Sequence, residues 1–65
     1  MTDPETYDAF CRIVAMTHDA VQIDDGDGHK WIPMSQIIAS EDEIKVGVET
    51  TLTVPAWLAE RENLV

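Results

Sequence analysis

The sequence predicts an α+β fold: a small antiparallel sheet of three to five strands, a C-terminal helix packed on it, and a short N-terminal helix. Three observations lead there. Ala20-Val21-Gln22-Ile23-Asp24 and His29-Lys30-Trp31-Ile32-Pro33 flank the residues Asp25-Gly26-Asp27-Gly28, and Asp-Gly pairs tolerate the positive φ of a hairpin turn. Thr50-Thr51-Leu52-Thr53-Val54 is rich in β-branched residues, which fit a pleated, half-buried surface. Pro55 then opens an amphipathic segment, as proline does in the first turn of a helix.

The remaining elements follow in order. Asp3 is placed to cap a helix and Pro4 to begin it. Tyr7, Phe10, Cys11 and Val14 fall at i, i+3, i+4 and i+7, a helical stripe. Residues 12–17 also read as a strand. The expectation is a short helix running into a strand, with a single helix to Met16 as the alternative. Pro33 lacks an N–H and so ends the second hairpin strand or lies at an edge. Ser35 begins a short turn, and Glu41, Asp42 and Glu43 form a charged loop. Residues 43–54 hold one or two strands, interrupted at Gly47. The final helix covers residues 55–62, with Trp57, Leu58, Leu64 and Val65 toward the sheet and Glu60 and Glu62 toward water. Arg61 snorkels at the edge of that apolar face. Asn63 suits the left-handed conformation that ends a helix. Few other large side chains are available, so Trp31 and Trp57 are expected at the centre of the core, one against the other.

The chain has 65 residues and a mass of 7.3 kDa, enough for a single domain over residues 1–65. Such a chain buries only about 60% of its unfolded surface. Its 45% hydrophobic content excludes a disordered acidic tail. Cys11 is the sole cysteine and is expected as a buried, inert thiol. The longest apolar runs, Ile13-Val14-Ala15-Met16 and Ile37-Ile38-Ala39, are too short to cross a membrane. The N-terminus, Met-Thr-Asp-Pro-Glu, is unlike a signal peptide. These features predict a soluble protein of the cytoplasm.

Catalytic and metal chemistry find no foothold in the motifs. Aligning Gly28 with the glycine of a calcium loop puts Ile23 and Met34 where carboxylates are required, and aligning Gly26 puts Val21 there. His18, His29 and Cys11 lack zinc spacing, and the histidines are expected in turns or at the surface. Ser35 has no flanking glycine and reads as a turn cap rather than a nucleophile. The expectation is a monomer that is not an enzyme and needs no metal or cofactor.

Charge is the feature that exceeds its ordinary use. Against 13 Asp and Glu stand 4 Lys and Arg, a formal net charge of −9. Solubility of a small domain is served by a magnitude of about 2–8, and the excess adds self-repulsion. Direct binding to nucleic acid is disfavoured, because phosphates would be repelled. A positively charged partner is favoured. Carboxylates two apart on a strand lie about 6.6 Å apart, near the spacing of successive phosphates on one DNA strand. The candidate contacts are Asp24, Asp25, Asp27, Glu41, Asp42, Glu43 and Glu49, with Glu5, Asp8, Glu60 and Glu62 as a second face. The alternative is a protein-interaction module with an apolar contact, anchored on Trp31 or Met34.

Residues 19–64 carry a resemblance. Trp31-Ile32-Pro33-Met34-Ser35-Gln36 and Val54-Pro55-Ala56-Trp57-Leu58-Ala59 resemble a small phage-encoded domain that reads W-I-P-K-S-Q and V-P-x-W-L-A followed by Gly-Leu. Met34 stands where that domain has Lys, and Asn63 where it has Gly. In length, acidity and this phage-like core together the chain also resembles the small anti-CRISPR proteins, in particular the inhibitors of type I-C systems. That resemblance implies a DNA mimic in the host bacterial cytoplasm. It would bind the DNA-binding subunit of a type I CRISPR surveillance complex (Cascade) and block its target DNA.

Overall fold

A computed structural model describes residues 5–64. Five strands form one antiparallel sheet: β1 (Thr6–Met16), β2 (Ala20–Asp24), β3 (His29–Pro33), β4 (Ala39–Ser40) and β5 (Glu49–Pro55). Their order across the sheet is β3-β2-β1-β5-β4. Helix α1 (Ala56–Arg61) follows β5 directly, and a 3-10 turn (Met34–Gln36) follows β3.

The hairpin stands where the sequence puts it. Ala20 pairs with Pro33 and Asp24 with His29. Gly26 and Gly28 hold φ of 94° and 129°, values that exact strain from any residue with a Cβ. The Asp24 and Asp25 side chains each accept the backbone N–H two residues on, at 2.9 and 3.0 Å, which closes the turn. Ser35 lies in the 3-10 turn as expected.

Among the described residues, the N-terminal helix is not formed. Residues 6–16 are one strand, while Asp3 and Pro4 lie outside the described residues. Two periodicities compete in this segment. Ala9, Cys11 and Ile13 are buried and Tyr7 is partly buried, whereas Asp8, Phe10 and Arg12 are exposed. That is period two, and it is satisfied by β5, whose Glu49–Pro55 pairs with β1 from Arg12 to Thr6. Past Ile13 the register to β2 slips at Val14, a β-bulge that lets one long strand serve two neighbours.

Of the one or two strands expected within residues 43–54, one forms, β5. Residues 43–48 form a loop that turns at Val46 and Gly47, and Gly47 (φ 94°) donates its N–H to the Ile13 carbonyl at 2.8 Å.

The core lies on one face of the sheet. Ile13, Val21, Ile23, Ile32, Leu52 and Val54 point into it, and Leu58 and Ala59 of α1 close it. Tyr7, Met34, Ile37, Ile44 and Leu64 pack around its rim. Asn63 ends the helix at φ 60°, and the Leu64 N–H returns to the Ala59 carbonyl at 2.8 Å.

Both tryptophans lie outside this core. Trp31 is 45% exposed and Trp57 53%. Trp31 pairs with Gln22 on the face opposite Ile32, and Trp57 turns away from the buried Leu58. They do not meet across the sheet and helix. Val65, expected to face the sheet, lies outside the described residues. The radius of gyration is 11.0 Å and the extents are 37 × 22 × 19 Å. The long axis matches an extended strand of this length, at about 3.3 Å per residue.

Candidate binding surface

Register brings the elements that carry the seven candidate acids side by side across the sheet. β2 ends with Asp24 opposite Arg12 of β1. On the other side of Arg12, β5 begins with Glu49. Beyond β5, the chain leaving β4 passes its start, where the Glu41 N–H donates to the Thr51 carbonyl at 3.1 Å. The band thus runs from the hairpin turn, across Arg12 and Glu49, to Glu41, Asp42 and Glu43. It spans three strand spacings, about 14 Å.

The seven differ in how free their charges are. Glu49 accepts from the Arg12 guanidinium at 2.9 Å, with both side chains about half exposed. Asp27, Glu41, Asp42 and Glu43 are exposed. Their loop is held by its backbone, because the Asp42 N–H donates to Thr50 Oγ1 at 3.1 Å and Ser40 Oγ donates to the Asp42 carbonyl at 2.6 Å. The carboxylates are therefore left to solvent.

Asp25, expected as an exposed contact, belongs to the inner side instead. Its carboxylate lies 3.2 Å from the Lys30 ammonium, and the two side chains are 11% and 13% exposed. Partial burial opposes ionisation of Asp25. The Asp27 N–H and the Lys30 ammonium together outweigh it and hold the carboxyl below its ordinary value. Burial, with a further contribution from the Asp25 charge, pushes the Cys11 thiol up to about 11. Cys11 is buried as expected, and it is protonated at neutral pH.

An open cavity of about 260 Å³ interrupts the band, lined by Phe10, Arg12, Asp24, Asp25, Gly26 and Glu49. Phe10, one position of the helical stripe, is 66% exposed in the strand. Together with Trp31 it makes the outer face partly aromatic. Alternation counted from Ala9 and Cys11 would have found it. Met34, an alternative apolar anchor in the sequence reading, packs against the core instead.

Of the second acidic face, Glu5, Asp8 and Glu60 are exposed. Glu62 is half-buried and 3.5 Å from Arg61. His18 and His29 are exposed. Among the described residues, no group of three or more His, Cys, Asp or Glu side chains is arranged to hold a metal ion. No helix among them is long and apolar enough to cross a membrane. Comparison with protein-family models, with curated proteins and with solved structures returned no match.

Proposed function

We propose that the chain is a non-enzymatic binding protein that sets its acidic band into the positively charged, nucleic-acid-binding surface of a partner, in the place of duplex DNA. The observation that carries this reading is the convergence of the hairpin turn, the residue 41–43 loop and the start of β5 on one band, which carries six acids besides the inward Asp25. Among the described residues, only Glu49 of these six is paired with a cation. The size is compatible. Along the roughly 14 Å of the band, B-DNA presents about 8 phosphates, roughly half of them on one side. The chain carries −9. The resemblance to small phage-encoded inhibitors makes a type I CRISPR surveillance complex the first partner to assay.

The test is a gel shift of labelled target duplex with purified surveillance complex, with and without this protein. Loss of the shift, restored when Glu41 and Glu43 are both changed to Lys, supports mimicry. Surface charge changes of this kind cost about 0.5 kcal/mol or less in folding, so folding and binding are separable. An unchanged shift, with cleavage blocked or intact, overturns mimicry of DNA on that complex.

A second reading has its own observation. Phe10 and Trp31 expose large aromatic surface on the outer sheet face, and exposed aromatics are frequent anchors of protein contacts. A complex held this way resists salt and fails with Trp31→Ala. An electrostatic complex weakens steeply as salt rises.

A further inference from the structure

Among the described residues, the register leaves part of β1 without a neighbour. β2 covers it only from Arg12 to Met16, and β5 lies along its other side from Thr6 to Arg12. Three hydrogen bonds fix which backbone groups face the uncovered side. The Ile13 N–H donates to the Val48 carbonyl at 2.9 Å, the Ile13 carbonyl accepts from Gly47, and the Glu5 carbonyl accepts from the Ala56 N–H at 2.9 Å. Odd-numbered residues therefore turn their polar groups toward β5. By the alternation of an antiparallel ladder, Thr6, Asp8 and Phe10 turn theirs to the uncovered side.

The other sheet edges are less receptive. On β3 the Met34 N–H bond to the Asp19 carbonyl sets the parity, so His29, Trp31 and Pro33 face outward, and Pro33 has no donor. β4 is two residues long. Among the described residues, the β1 edge offers three successive outward-facing residues with no proline. A strand edge of that kind is a template for pairing.

We propose that residues 6–10 of β1 accept an extended, basic segment of a partner protein as an added strand, its side chains reaching the cavity beside Phe10. The partner's chemistry follows from what surrounds the edge. Glu5 and Asp8 are exposed along it, and Asp24 and Asp27 stand at the hairpin end. Phe10 offers a ring face to a Lys or Arg side chain. A second copy of this chain fits poorly. Antiparallel pairing centred on Asp8 would set Asp8 against Asp8, and like charges directly opposite are destabilising. The inference rests on the reading of the chain as a binder of a basic partner, and adds the mode of contact.

The test uses a capped peptide of four Lys-Val repeats, titrated into the 15N-labelled protein. Two further peptides are its backbone N-methylated version and a Glu-Val counterpart. The expected result is a shift of the Thr6, Asp8 and Phe10 amides with slower hydrogen exchange. N-methylation should cost about tenfold in affinity, the worth of one or two hydrogen bonds. Asp8→Pro removes an N–H that β5 does not use and should match that loss, whereas Asp8→Asn should keep the exchange protection. Equal binding by the N-methylated peptide overturns strand addition while leaving the acidic-binder reading intact. Equal binding by the Glu-Val peptide overturns both. Concentration-dependent shifts of the same amides without peptide assign the edge to a second copy and overturn the proposal.

Discussion

The guanidinium of Arg61 lies 5.5 Å from the centre of the Trp57 ring, one helical turn away, and both side chains are exposed. The ring is a platform for a cation rather than a wedge in the core. Exposed pairs of this kind are worth about 0.5–1 kcal/mol. Trp57→Ala should therefore cost about 1 kcal/mol, and Trp31→Ala a similar amount. Leu58→Ala, one residue from Trp57 but fully buried, should cost about 2–5 kcal/mol. Urea denaturation of the three variants decides it: a collapse with either Trp change would put that ring in the core.

The Asp25–Lys30 pair makes stability acid-sensitive. The folded-state pKa of Asp25 is depressed, so its contribution is present above the unfolded carboxylate value, near 3.9, and is lost as pH falls through the folded value. Lys30→Met leaves a shielded carboxylate without its cation and should destabilise by about 1–3 kcal/mol at neutral pH. The difference between variant and parent should shrink as the pH is lowered from 7 to 3. Parallel melts across that range check this, and a constant difference would refute it.

Cys11 acts at the other end of the scale. Its folded-state pKa is raised from 9.0 to about 11. The unfolded chain loses its proton first, so stability should decline between those two values by something on the order of 2 kcal/mol. Cys11→Ala should flatten that slope while costing some packing. At neutral pH the thiol should react with iodoacetamide only as fast as the protein opens. Rapid labelling under native conditions would contradict its burial.

The hairpin turn depends on two backbone conformations. Gly26 and Gly28 sit at φ 94° and 129°, and an added Cβ would meet no atom within 4 Å at either position. Gly26→Ala and Gly28→Ala should each cost about 1–3 kcal/mol through backbone strain alone. Because the turn carries Asp24 and Asp27, both changes should also weaken a complex made through the acidic band. A Tm unchanged from the parent would show that the turn relaxes without cost.

Some of this protein was legible residue by residue. The β2–β3 hairpin is encoded within fourteen consecutive positions, where alternation and Asp-Gly chemistry act together. Pro55 before the helix and Asn63 at its end are likewise local, because φ preferences belong to single residues. The charge of −9 and the buried thiol needed no fold to be read.

Tertiary pairing decided the rest. In residues 6–16 the apolar positions satisfy a period of 3.6 and a period of 2. Only the pairing of Thr6 with Pro55 and of Arg12 with Glu49, across a long sequence separation, selects the strand. That selection turns Phe10 outward. It draws Asp24, Glu49 and the residue 41–43 loop into one band, and among the described residues it leaves residues 6–10 of β1 with a free edge. The tryptophans follow the same reason. Size predicts burial, but the side on which a strand residue stands is set by register, and register placed Trp31 opposite Gln22, on the face away from the core.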